Sequence, residues 1–126
     1  MRLLLDTHIL LWWLSDDSKL KGPEREAIAH PDSIVQVSAA SVWEITMKAS
    51  LGKIELEDVD LAREIAADDF LELPIRWRHT TAAGWLPRHH DDPFDRMMIA
   101  QAQLEGLVLV SYDDVFRKYG VSLLPS

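Results

Sequence analysis

The sequence predicts an α/β domain built on a mainly parallel sheet with helices on both faces. Short apolar runs alternate with helix-like segments along the chain, the pattern of βα units rather than of hairpins. Two of those runs, Leu3-Leu4-Leu5 and Leu107-Val108-Leu109-Val110, are apolar without alternation, as strands buried on both faces require. At 126 residues the chain fits one domain with one core, so a single domain over residues 1–126 is expected.

The elements follow in order. Leu3–Leu5 is the first strand and ends at Asp6, and Thr7 is placed to cap a helix from Ile9 to Leu14 that carries Trp12 and Trp13. Ser15-Asp16-Asp17-Ser18 is a turn, and Pro23 opens a short polar helix, Glu24 to Ala29, closed by His30-Pro31-Asp32. Ile34–Val37 is the second strand. Ser38 caps a third helix, Ala39 to Ser50, stopped by Gly52. Asp58 to Phe70 has Leu61, Ile65 and Ala66 on one side, an amphipathic helix. Leu71–Ile75 is a brief strand whose Pro74 assigns it to an edge or a strand end. A helix over Thr80–Leu86 and a loop, Pro87-Arg88-His89-His90, come next.

Pro93 then suits the first turn of a helix running to Glu105, because its missing N–H has no partner to lose there. Asp92 falls at the N-cap and Asp95 in the first turn, beside the positive end of the helix dipole. Gly106 turns the chain into Leu107–Val110. Asp113 or Asp114 begins a last helix toward Tyr119, and Val121–Leu124 adds a final strand.

Hydrophobic residues make up 48% and charged residues 27%, an ordinary globular balance that excludes a disordered chain. Cysteine is absent, which excludes disulfides and thiolate metal sites. The N-terminal run from Leu3 to Leu14 is interrupted by Asp6 and His8, has no small-residue cleavage site, and is too short to span a bilayer. A cytoplasmic protein without membrane association is the expectation. The net charge of −8 is at odds with the basic footprint of a nucleic-acid binder, unless carboxylates are gathered to hold cations.

In open α/β sheets, ligands collect beyond the carboxyl ends of the strands. Asp6 and Asp113 stand at two such ends, after the first strand and after Leu107–Val110. Asp95 opens the helix that feeds the latter strand, and alternating units are expected to set it at the opposite edge from Asp113. Glu44, within Ser41-Val42-Trp43-Glu44-Ile45-Thr46-Met47-Lys48, has two readings of equal weight: a catalytic carboxylate, or an i,i+4 ion pair with Lys48 on a solvated helix face. Were the four acids to converge, their mutual repulsion would call for a hard divalent cation, and oxygen ligands without cysteine suit Mg²⁺ or Mn²⁺. Sites of that kind activate water and neutralise a phosphoryl group.

These segments resemble the PIN-domain family, in particular the VapC-type ribonuclease toxins of bacterial toxin–antitoxin pairs. Leu4-Leu5-Asp6-Thr7-His8 is similar to the family's opening strand and first acid. Ser41-Val42-Trp43-Glu44-Ile45, with Lys48 and Leu51-Gly52-Lys53, is similar to its second motif. Asp92-Pro93-Phe94-Asp95-Arg96, followed by Ile99-Ala100-Gln101-Ala102, is similar to its third. Val110-Ser111-Tyr112-Asp113 is similar to its fourth, with Ser where Thr is usual and with Asp114 following. The resemblance covers essentially the whole chain. It implies a three-layer α/β/α PIN-like domain in which Asp6, Glu44, Asp95 and Asp113 form one acidic pocket for Mg²⁺ or Mn²⁺. It further implies endonucleolytic hydrolysis of RNA, a cognate antitoxin protein and a homodimer. Thr7 and Ser111 would orient a carboxylate or a water, or equally cap helices.

Arg76, Arg78, Arg88, His89 and His90 form two basic clusters, with Trp77 and Trp85 near in sequence. Such groups can grip single-stranded RNA, but solvated loop charge with the tryptophans in the core is the preferred reading. The paired histidines read as structural or solvent-facing, and Arg96 as an ion-pair partner of Asp95. Two other functions compete: a phosphoaspartate receiver-like domain with Asp6 phosphorylated and Lys48 as phosphate partner, and a non-catalytic interaction module using Trp12 and Trp13.

Overall fold

A computed structural model of the chain describes residues 1–56 and 59–126. Five strands, β1 (Arg2–Leu5), β2 (Ile34–Ser38), β3 (Leu71–Leu73), β4 (Val108–Val110) and β5 (Leu123–Leu124), form a sheet in the order β3-β2-β1-β4-β5. Every pairing is parallel, with Leu4 of β1 opposite Gln36 of β2 and Leu109 of β4. The helices are α1 (Thr7–Leu14), α2 (Gly22–Ala29), α3 (Ala39–Ser50), α4 (Leu61–Ala67), α5 (Trp77–Gly84) and α6 (Pro93–Glu105), with a 3-10 helix at Asp114–Tyr119. Among the described residues, no helix is long and apolar enough to cross a membrane.

The period of two along a strand explains the layering. Leu3 and Leu5 point into one core with Val35, Val37 and Val110, where Ile9 and Leu10 of α1, Ile28 of α2, Ile45 of α3 and Ile65 of α4 cover them. Leu4 points into the other core with Leu109, where Met98, Ile99 and Ala102 of α6 meet Phe116 and Tyr119 of the 3-10 helix. Leu3, Leu4 and Leu5 are all fully buried, so the unbroken apolar run does mark a strand covered on both faces.

Several boundaries move for local reasons. The helix expected from Asp58 has its start outside the described residues. α4 runs from Leu61, capped by Asp60 accepting the Arg63 N–H at 3.2 Å. It ends at Ala67 rather than Phe70, because Asp69 takes a left-handed conformation with φ of 60°. β3 stops at Leu73, ahead of Pro74, and lies at the sheet edge as expected. α5 begins at Trp77, three residues early, because His79 Nδ1 accepts the Arg76 N–H at 2.9 Å in the first turn. Gly106 closes α6 with φ of 66°, as its position predicts.

Two buried polar contacts fix how α3 and α6 sit against each other. Ser38 Oγ accepts the Ala40 N–H at 3.0 Å, capping α3, and donates to Gln101 Oε1 of α6 at 2.6 Å. One turn further, Ser41 Oγ donates to Met98 Sδ at 3.3 Å. The spacing between these helices sets the relation of Glu44 to Asp95.

Candidate functional site

The order β3-β2-β1-β4-β5 places β1 between β2 and β4, so the chain leaves β1 in one direction and returns on its other side. That reversal creates a crevice beyond the carboxyl ends of the two central strands. Asp6 follows β1 directly and is the N-cap residue of α1, buried at 6% exposure. Asp113 follows β4 by three residues, is exposed, and caps the 3-10 helix by accepting the Val115 N–H at 3.0 Å.

The expectation that Asp95 lies at the opposite edge from Asp113 is wrong. A helix feeding a parallel strand must return the chain to that strand's start, so it runs antiparallel to the sheet. Its N-terminus therefore stands at the carboxyl edge, where Asp6 and Asp113 are. Asp92 accepts the Phe94 and Asp95 N–H groups at 2.9 and 3.0 Å, capping α6 as expected and setting Asp95 in its first turn.

Each buried acid is held by a hydroxyl. Ser111 Oγ donates to Asp6 Oδ2 at 2.7 Å and accepts the Asp113 N–H at 3.1 Å, linking the first and fourth motifs through one side chain. Thr7 Oγ1 donates to Glu44 Oε1 at 2.7 Å, linking the first and second. Thr7 and Ser111 thus orient carboxylates, and the N-cap position assigned to Thr7 belongs to Asp6. Lys48 Nζ donates to Glu44 Oε2 at 2.7 Å. The i,i+4 pair exists, but Glu44 is 5% exposed, so it faces the protein and not a solvated surface.

Asp95 reports the electrostatics of the cluster. Burial, then the charges of Asp92, Asp6, Glu44 and Asp113, push its carboxyl from 3.8 up to about 8. Burial likewise raises Asp6 above the ordinary carboxylate range, against the opposing bond from Ser111. The Lys48 ammonium is held above its usual value by its bond to Glu44 and then by the charges of Glu44, Asp92 and Asp95. Lys48 is the counter-charge of Glu44, and His8 is the charge that opposes the shift of Asp6.

Two sequence expectations about neighbouring residues need correction. Arg96 is not an ion-pair partner of Asp95. It is buried, and its guanidinium donates to the carbonyls of Ala83, Leu86, Pro87 and His90 and to the Tyr119 hydroxyl, at 2.8–3.4 Å. Its neighbours are carbonyls at the end of α5 and in the loop after it, which a planar five-donor group bonds together. Trp77 and Trp85 are not in the core: they are 91% and 86% exposed on an outer helix. Of the two readings given for the histidine pair, His90 takes the structural one: its Nε2 lies 3.1 Å from Asp95 Oδ2 and its Nδ1 lies 2.7 Å from the Tyr119 hydroxyl. The adjacent histidine pair was the one available signal for it, and Tyr119 carried none. Asp114 is exposed and lies 3.6 Å from Arg117, in the first turn of the 3-10 helix.

The donor set is all oxygen, short of positive charge and partly desolvated, the chemistry of a hard-cation site. Among the described residues, no three His, Asp or Glu side chains converge closely enough to cage an ion by themselves. Both oxygens of Glu44 are already engaged by Thr7 and Lys48. That arrangement fits Mg²⁺, which keeps several waters and needs only one or two direct carboxylates, better than a fully caged ion.

Comparison with known proteins agrees with this geometry. The family model described as PIN domain matches residues 3–121. Ribonuclease VapC22 of Mycobacterium tuberculosis is 30% identical over 118 residues, covering 92% of this chain and 90% of the relative. Among solved structures, VapBC2 from Rickettsia felis bound to a promoter DNA fragment gives a TM-score of 0.74 at 14% identity, covering 98% of this chain and 97% of that one. DNA-bound VapBC from Salmonella typhimurium gives 0.67 at 15%, covering 98% and 96%. The two structures show likeness of fold, and their parallel-sheet architecture is the one described above. The family model spans all four acidic motifs, the curated relative matches over 92% of the chain, and the chain belongs to the PIN domain family.

Proposed function

We propose that this chain is a metal-dependent endoribonuclease and the toxin of a cytoplasmic toxin–antitoxin pair. The observation that carries this reading is Asp95, driven to about 8 by burial and by four neighbouring carboxylates. Evolution of a stable fold has no use for such repulsion, whereas a cation site does. A PIN-domain chain related to a named ribonuclease, and folded like a chain of the VapBC structures, supports RNA as substrate and a second, neutralising protein as partner.

Asp6, Glu44, Asp95 and Asp113 would hold Mg²⁺ or Mn²⁺. When bound, the cation supplies Lewis-acid neutralisation of the phosphate and lowers the pKa of water. The protein's own groups do the remaining work. Ser111 and Thr7 hold Asp6 and Glu44 in fixed rotamers, so the carboxylates need no reorganisation when substrate arrives. Asp95, in the first turn of α6, would lend a carboxylate oxygen to the cation. Lys48 offsets charge on Glu44. The receiver-like alternative loses ground, since receiver sheets run 2-1-3-4-5 and this sheet does not.

Purified protein incubated with RNA and Mg²⁺ or Mn²⁺ is expected to cleave internally, and to lose that activity with a chelator or with Asp6→Asn. Cleavage that survives both treatments overturns the reading. An interaction module would instead keep its full effect on cells after Asp6→Asn.

A further inference from the structure

Asp95 faces the charges of Asp92, Asp6, Glu44 and Asp113, and what holds it in place lies outside the four motifs. The Tyr119 hydroxyl oxygen is 3.2 Å from the His90 N–H and 3.3 Å from Arg96 Nη1, and both of those groups can only donate. Its own hydrogen must therefore go to an acceptor. Two acceptors are in reach: His90 Nδ1 at 2.7 Å and the His90 carbonyl at 3.5 Å. The ring nitrogen is much the nearer. With Nδ1 accepting, the neutral imidazole carries its hydrogen on Nε2, which faces Asp95 Oδ2 at 3.1 Å. The direction of the whole chain of bonds is thus set from Arg96 through Tyr119 and His90 to the carboxylate.

We infer that His90 is a positioning residue for Asp95: Tyr119 locks its Nε2–H tautomer, and the imidazole then pins one carboxylate oxygen so that the other is presented to the cation. Several observations fit this role. Tyr119 is buried and packs edge-on against both His90 and His89, with centroids 5.4 and 4.8 Å apart, so the imidazole has little freedom to turn. The bond to Asp95 falls on Oδ2, and among the described residues no hydrogen bond falls on Oδ1. The chain of bonds starts and finishes on adjacent residues of α6, Arg96 and Asp95, so it braces the carboxylate against its own helix. Partners of this kind govern how well a carboxylate meets a metal. The inference rests on the proposed reading of Asp95 as a cation ligand.

The test is Mn²⁺ affinity, followed by titration calorimetry on wild type, His90→Ala, His90→Gln, Tyr119→Phe and Asp95→Asn, with circular dichroism as the check on folding. His90→Ala is expected to weaken Mn²⁺ binding by about 10- to 100-fold, and to lower kcat while leaving KM for RNA unchanged. His90→Gln, which retains a side-chain N–H donor, is expected to recover part of the affinity. In ¹⁵N spectra, wild-type His90 is expected as the Nε2–H tautomer, with a resonance that moves on adding Mg²⁺, and Tyr119→Phe is expected to lose that single tautomer. A folded His90→Ala that binds Mn²⁺ as tightly as wild type overturns the inference, and so does an Nδ1–H tautomer in the wild type. If Asp95→Asn also binds Mn²⁺ normally, the reading of Asp95 as a ligand fails with it. The spectra use wild-type protein, so they decide the matter even where a variant does not fold.

Discussion

A carboxyl group that ionises near 8 rather than 3.8 changes how the protein answers to pH. Between about pH 4 and pH 8 the folded chain keeps a proton on Asp95 that the unfolded chain has released. The folded state then binds more protons than the unfolded one, so stability falls as pH rises through that window. Asp6, raised by burial, contributes in the same direction. A divalent cation needs the deprotonated form, so its affinity should climb toward pH 8. Without divalent cations, the urea midpoint is expected to drop from pH 5 to pH 8. Asp95→Asn should flatten that slope and abolish cleavage without unfolding the protein. Asp92→Ala is the contrasting substitution: it loses a cap worth about 1 kcal/mol and keeps cleavage. Equal pH slopes for Asp95→Asn and wild type would reject this account.

At the scale of elements, the acids depend on how α5, the loop after it and α6 are joined, and Arg96 makes most of that joint. Its guanidinium reaches four carbonyls and one hydroxyl, and removing it strips the Leu86 carbonyl of its donor and takes one donor from each of the others. Arg96→Met is expected to cost about 3 kcal/mol, lowering Tm by on the order of 10 °C in a thermal melt. Arg96→Lys should rescue little, since an ammonium cannot serve a planar fork of acceptors. The elements themselves were mostly legible in the sequence. Caps at Ser38, Asp92 and Gly106 and the apolar runs at Leu3–Leu5 and Leu107–Val110 act through neighbours within a few residues, so their signals are local. The start of α5 was missed because Arg76 is not a capping residue type, and the partner that replaces a cap is a histidine ring. The tryptophans of α5 were misplaced because apolar character predicts burial on average, whereas α5 buries chiefly His79 and Ala83. In the site, four acids could be picked out by motif. Their supports could not: the Tyr119–His90 contact joins positions 29 residues apart, and the Ser111–Asp6 contact positions 105 apart.

Over the whole molecule, the net charge of −8 and the absence of Asp or Glu from residues 76 to 90 describe an uneven surface. An acidic protein can approach a polyanion where cations reverse the local field. A cation that binds the folded site and not the unfolded chain would also stabilise the fold. At 100 times the dissociation constant the gain is about 2.7 kcal/mol, so Tm should rise with Mg²⁺ and fall back with a chelator. Asp6→Asn should lose that response, and a melt insensitive to Mg²⁺ would count against the site.

The position of β1 between β2 and β4 has a consequence for synthesis. Asp6 leaves the ribosome well before its Ser111 partner and the strand that closes its other side, which come more than 100 residues later. A nascent or prematurely terminated chain ending before Val108 has one edge of its central strand unpaired and lacks the fourth acid. Such a chain carries Asp6, Glu44 and Asp95 without the hydroxyl that aligns the first of them. The cluster is therefore complete only once β4 and Ser111 have been made.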